Sequence, residues 1–112
     1  MKEDLVYIEH IMDCIRKIKD YSYHLDRDDF LKNELVQDAI IRNIEIIGEA
    51  TKNVSAGFKQ SYPDIPWKEM AGMRDKLVHD YLGVDVEVVW ATIHQDIPFL
   101  EQQIQKIDVF FK

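Results

Sequence analysis

The sequence predicts an all-α protein, an antiparallel up-and-down bundle of four to five helices whose last helix is kinked or broken at Pro98. Three observations predict it. Apolar residues recur every three or four positions through most of the chain, which is the helical period. Only 4 glycines and 3 prolines interrupt 112 residues, so the interruptions are few. No run alternates apolar and polar side chains as a half-buried strand would, and the links between most helical stretches are short enough to favour antiparallel neighbours. The length suits a single domain, residues 1–112, with one continuous core.

The first helix is predicted over residues 3–23, where Leu5, Ile8, Ile11, Met12, Ile15, Ile18 and Tyr21 keep the period. An acidic linker, 24–29, leads to a second and longer helix over 30–54, carried by Phe30, Leu35, Ile40, Ile44, Ile47 and Ala50. Gly48 lies inside it and costs about 1 kcal/mol relative to Ala, so it is expected to mark close approach of another helix. Residues 55–66, with Gly57, Pro63, Asp64 and Pro66, read as the one long loop. Asp64 can cap and Pro66 suits a first turn, which places a third helix over 67–82, ending at Gly83. Asp85 can cap a fourth, whose Val86, Val89, Trp90 and Ile93 face the core until Pro98 removes a backbone donor. A fifth piece over 98–110 carries Phe99, Leu100, Ile104 and Ile107.

The formal charge of −7 argues against broad nucleic-acid binding, because that affinity comes from Lys and Arg neutralising phosphates. A local patch of Lys68, Arg74, Lys76 and His79 could still position one phosphate if a dimer doubled it, and an acidic body also suits a basic protein partner. No stretch is apolar and long enough to span a membrane. The opening Met-Lys-Glu-Asp-Leu lacks the apolar run of a secretory signal and the lone Cys14 has no partner for an internal disulfide, so a cytoplasmic location is expected.

The stretch Arg74-Asp75-Lys76-Leu77-Val78-His79-Asp80-Tyr81 carries the candidate chemistry. Arg is charged at any accessible pH and offers a planar fork of donors to phosphate oxygens, while the ordinary pKa of His lies closest to neutrality. On one regular helix, Arg74 and Tyr81 would share a face and His79 would sit to one side, so a site using Arg74 and His79 lies on the helix edge or is completed by a second copy. Asp75 could pair with His79 one turn on and raise its pKa. Glu49 and Arg42, seven apart, could both face this motif, with Glu49 orienting Arg74; the alternative is a solvated helix face. Arg74 and His79 could equally be surface contacts, and Tyr81 a buried aromatic capping a carbonyl near Gly83.

His10 and Cys14 have the i,i+4 spacing that can hold a metal, but without a second pair Cys14 reads as a core thiol and no metal or other cofactor is expected. His24 and His94 carry no partner signal. Trp67 and Trp90 read as core or interface anchors, although Trp67 near the loop could stack on a base.

Beyond this chemistry, the run Arg42-Asn43-Ile44-Glu45-Ile46-Ile47-Gly48-Glu49-Ala50, then Ile65-Pro66-Trp67, then Gly72-Met73-Arg74 through Tyr81 with its R-x4-H-x-Y box, and later Gly83-Val84-Asp85, Val89-Trp90 and Asp96-Ile97-Pro98, occur in the order of a known family. The chain resembles the HepT-like toxins of the HEPN superfamily along nearly its whole length. Asp75 departs from the pattern, since that family often has Asn there. The resemblance implies a homodimer whose motif helices meet at a cleft, acting as a metal-independent endoribonuclease on RNA such as tRNA or mRNA. It further implies the toxin half of a toxin–antitoxin pair with a small MNT-type nucleotidyltransferase as antitoxin. Carried over residue by residue, Arg74 and His79 take the catalytic roles, and Tyr81 the position to which the antitoxin attaches AMP. The competing reading is a non-catalytic helical module that dimerises and docks or regulates a nucleotidyltransferase. A repressor of its own operon has little support, for want of positive charge and of a DNA-reading helix.

Overall fold

A computed structural model describes residues 2–78 and 83–107. Helix α1 spans Lys2–Ser22, α2 Arg27–Leu31, α3 Glu34–Asn53 and α4 Ala56–Ser61. Helix α5 follows over Trp67–Ala71, α6 over Met73–Leu77, α7 over Val86–Ala91, a π turn over Thr92–Asp96 and α8 over Ile97–Ile104. Among the described residues the only extended pairing is one antiparallel bridge between Val78 and Val84, so the fold is all-α.

The two long periodic stretches form as expected, and local capping explains where they stop. Asp26 accepts the backbone N–H of Asp29 at 2.8 Å, which starts α2 inside the expected acidic linker. Asn33 then accepts the N–H of Val36 at 3.0 Å and begins α3, so the expected helix over 30–54 is divided. Ser55 accepts the N–H of Phe58 at 3.2 Å and starts α4 inside the expected long loop. Asp64 makes no cap; Pro66 itself is the residue that precedes α5.

Helices α1 and α3 pack along one another. They run antiparallel: Asp4, in the first turn of α1, accepts the backbone N–H of Ser55 at 2.7 Å and its hydroxyl at 2.8 Å, just beyond the end of α3. Burial opposes the charge on Asp4, yet these two hydrogen bonds hold its carboxyl below the usual 3.8. One contiguous core joins Ile8, Ile11, Ile15 and Ile18 of α1 to Ile40, Ile44 and Ile47 of α3, and to Val89, Ile93, Ile97 and Leu100 of the last helical stretch. Phe30, fully buried, closes one end against Trp90 at a ring separation of 5.3 Å. Lys19 and Glu101, 2.9 Å apart, tie α8 to the last turn of α1.

The expected interruption at Pro98 is a π turn. Backbone angles stay helical at Ala91, Asp96 and Ile97, and the N–H of Ile97 reaches the carbonyl of Thr92, one residue further back than in an α-helix. In a regular helix the Pro98 ring would strike the carbonyl of His94; one widened turn just before it relieves that clash without ending the helix. The fourth and fifth predicted helices are therefore one helical stretch. It ends at Ile104, before the expected limit of 110, and residues 108–112 lie outside the described part.

Among the described residues no helix is long and apolar enough to cross a membrane.

Candidate active site

Gly48 of α3 and the carbonyls of α5 set the geometry of the site. A Cβ at Gly48 would lie 3.2 Å from the carbonyl oxygen of Ala71 and 3.5 Å from that of Met70, so only glycine lets α5 approach this closely, as its place in the sequence suggested. Trp67 and Met70 of α5 are buried on the other side, with the Trp67 indole N–H donating to the carbonyl of Tyr62 at 3.0 Å. The chain turns at Gly72 and begins α6, which carries Arg74 to α3.

There the Nε of Arg74 donates to Oε2 of Glu45 at 3.2 Å. With side chains 56 and 36% exposed, the pair contributes at most about 1 kcal/mol to stability, so its effect is to fix where the guanidinium points. Arg74 has five N–H donors and this contact uses one; among the described residues its Nη atoms meet no partner.

A cleft of about 540 Å³ opens beside this pair. Tyr7 and His10 of α1 form one wall, Arg42, Glu45, Glu49 and Lys52 of α3 the floor, and Arg74 and Asp75 of α6 the other wall. Three cations thus face three carboxylates, a balanced lining on a protein with a formal charge of −7. This partly meets the charge objection, since a phosphate entering the cleft meets local cations.

The structure brings several sequence candidates together and separates others. Arg74, Asp75, Glu49 and Arg42 share the cleft. The carboxylate that holds Arg74 is Glu45, not Glu49, which is exposed one turn along. Lys76 points away, bound to Asp96 at 2.6 Å, and Lys68 does not line the cleft, so the expected basic patch is divided. The expected helix over 67–82 is also divided: it turns at Gly72 and stops at Leu77, with Val78 extended. The expectation that Arg74 and Tyr81 share a helix face falls on a residue outside the described part. His79, Asp80 and Tyr81 lie outside the described residues.

Sequence reasoning missed Glu45, Lys52, Tyr7 and His10 as cleft residues. A signal existed on α3, where Arg42, Glu45, Glu49 and Lys52 are spaced by three, four and three, a charged stripe along one side of the helix. Cys14 is buried in the core and burial pushes its thiol up, whereas His10 is exposed at the cleft, so the two do not converge. Among the described residues no group of three or more His, Cys, Asp or Glu is placed to hold a metal. His24 packs on Tyr23 and His94 on Trp90, each with ring centres 4.1 Å apart.

A helical bundle with an arginine anchored at the wall of a mixed-charge cleft is a suitable scaffold for phosphodiester chemistry. The chain belongs to the HepT-like ribonuclease family: residues 11–107 match the family described as "Ribonuclease HepT-like". It is 48% identical over 101 residues to the "Probable ribonuclease HepT" of Thermococcus cleftensis, covering 90% of this chain and 92% of that one. It is 43% identical over 111 residues to a "Putative RNase" of Caldanaerobacter subterraneus subsp. tengcongensis, covering 96% of each. A "Gamma-glutamylcyclotransferase and putative RNase" of Methanocaldococcus jannaschii is 45% identical over 108 residues, but this chain spans only 49% of its length. No solved structure gives a significant match. The fold and family together support a ribonuclease.

Proposed function

We propose that this chain is a metal-independent endoribonuclease toxin that acts as a homodimer and is neutralised by an MNT-type nucleotidyltransferase antitoxin. The observation that carries the reading is Arg74, held by Glu45 through Nε at 3.2 Å on the wall of a cleft, in a chain of the HepT-like ribonuclease family. The Nη edge of Arg74, which meets no partner among the described residues, can bind the non-bridging oxygens of a phosphodiester and stabilise the charge that develops there.

The RNA supplies its own nucleophile. The 2′-oxygen attacks the adjacent phosphorus while its proton passes to one His79. The bond to the 5′-oxygen breaks, and that oxygen takes a proton from the His79 of the second copy. The products are a 2′,3′-cyclic phosphate and a free 5′-hydroxyl. One imidazole cannot be acid and base at once, so a dimer supplies the pair and the reaction needs no metal. AMP attached to Tyr81 adds bulk and a negative phosphate within the same motif as Arg74, which competes for its cation. Asp75 lines the cleft beside Arg74 and places a carboxylate next to the bound phosphodiester.

The net charge of −7 favours a second reading, a helical module that docks a nucleotidyltransferase without cutting RNA. Induced expression of the wild type beside Arg74→Ala and His79→Ala, with total RNA on gels and folding checked by circular dichroism, separates the two. A nuclease arrests growth and fragments RNA only as the wild type, and its purified form cleaves in the presence of a chelator. Equal behaviour of three folded proteins assigns the motif to docking.

A further inference from the structure

We propose that the Tyr7 and His10 wall of the cleft is a subsite for an unpaired RNA base, with Arg42 and Lys52 engaging the phosphates that flank it. The inference rests on the ribonuclease reading and adds to it the part of the molecule that selects single strands.

Tyr7 and His10 lie one turn apart on α1, their ring centres 6.3 Å apart and their planes at 89°. His10 is exposed and Tyr7 half-buried, so two aromatic surfaces of different orientation reach the same cleft as Arg74. Among the described residues neither side chain has a hydrogen-bonding or ionic partner within the protein. The volume of about 540 Å³ is ample for a nucleotide.

The charges run along α3 in a definite order. Arg42 and Lys52 are ten residues apart, about 15 Å along the helix axis, and Arg74 meets α3 at Glu45 between them. A strand lying in the cleft would pass three cations in sequence. Glu45 and Glu49 lie between Arg42 and Lys52, and this disfavours a duplex, whose continuous phosphate backbone would meet the carboxylates as well. A splayed single strand avoids that repulsion. Its sugar–phosphate contacts fall on the cations, while the amino edges of its bases can donate to Glu49, and one base stacks on the aromatic wall.

The test is fluorescence anisotropy of a labelled single-stranded RNA oligonucleotide that carries 2′-O-methyl groups, so that the wild-type chain binds without cutting. Tyr7→Ala and His10→Ala should each weaken binding about tenfold, the scale of one lost stacking contact. Tyr7→Phe should bind as the wild type does, because it keeps the ring. Arg42→Ala should lower the dependence of log affinity on log salt by about one unit, and the blunt duplex of the same sequence should compete poorly. On a cleavable oligonucleotide, His10→Ala should raise KM and leave kcat nearly unchanged. Since His10 is exposed, its substitution leaves the fold intact.

Equal binding by the wild type and His10→Ala, or equal competition by duplex and single strand, would overturn the subsite. Failure of the wild type to bind either RNA would overturn it too and assign the cleft to a protein partner. Binding through Tyr7 and His10 by a chain that never cuts RNA would uphold the subsite and sink the ribonuclease reading alone.

Discussion

Replacing glycine by alanine at two helical positions should move stability in opposite directions. In α4, a Cβ at Gly57 meets no atom within 4 Å, so Gly57→Ala gains about 0.5 kcal/mol from the narrower unfolded ensemble and better helix propensity. In α3, Gly48→Ala gains about 1 kcal/mol from the same source, since the position is mid-helix. Against that gain, the new methyl lies 3.2 Å from the Ala71 oxygen, 3.5 Å from the Met70 oxygen and 3.9 Å from the Ala71 carbonyl carbon, where comfortable contact begins near 3.5 Å. The opposing atoms are backbone, and the retreat of α5 is blocked by Trp67 and Met70, which are 9 and 1% exposed. Overpacking of this kind costs about 1–3 kcal/mol, so the net effect is a loss of roughly 0–2 kcal/mol. The two variants should differ by about 0.5–2.5 kcal/mol, or about 2–11 °C in Tm for a chain of this size. Thermal unfolding by far-UV circular dichroism, with urea unfolding as a second measure, reads the difference. If Gly48→Ala raised Tm as much as Gly57→Ala, α5 would be free to move and the close approach would not be what positions Arg74.

Three further outcomes follow from the same contacts. Asp4→Asn should cost about 1–3 kcal/mol at neutral pH, because a buried carboxylate accepting two hydrogen bonds from Ser55 becomes a neutral amide. The folded pKa of Asp4 is lowered, so its contribution is fully present above 3.8 and is lost as pH falls through the folded value; the gap between wild type and variant should narrow in acid titrations of stability. Glu45→Ala should reduce RNA cleavage about ten- to a hundredfold by freeing Arg74, while urea unfolding changes by less than about 1 kcal/mol, and Glu45→Gln should recover part of the activity. Gly83 holds φ at +114°, so Gly83→Ala should cost about 1–2 kcal/mol and lower cleavage although Gly83 does not line the cleft; unchanged stability would show that the backbone there relaxes freely.

Much of the fold was legible because α1 and α3 are long enough for the helical period to repeat. Their core-facing isoleucines all arrive where the period puts them. What escaped were the breaks. Helices α2, α4, α5 and α6 are five or six residues long, less than two turns, and so short a segment has no period to detect. Caps alone mark the starts of α2 and α4, at Asp26 and Ser55, residue types as common in loops as at helix ends, and α5 and α6 begin without a side-chain cap. Pro98 is the opposite case, a defect expected to kink or break the helix. A π turn over Thr92–Asp96 absorbs it and keeps one helical stretch where two were expected.

The cleft was legible in some of its residues and less so in its geometry. Arg74, Asp75, Glu49 and Arg42 were all singled out and all line the cleft, yet the partner of Arg74 is the carboxylate one turn before Glu49. The larger difference lies in how the motif is held. Residues 67–82 carry good helix formers, but Val78 is extended and bridges Val84, and the N–H of Asp85 donates to the carbonyl of Leu77 at 2.9 Å. Gly83, with its positive φ, lets the returning chain reach that pairing. The two ends of the segment that contains His79 and Tyr81 are thus pinned together directly after the helix that carries Arg74. No 3.6-residue period encodes this clamp, because it is a backbone pairing between Val78 and Val84, positions six apart.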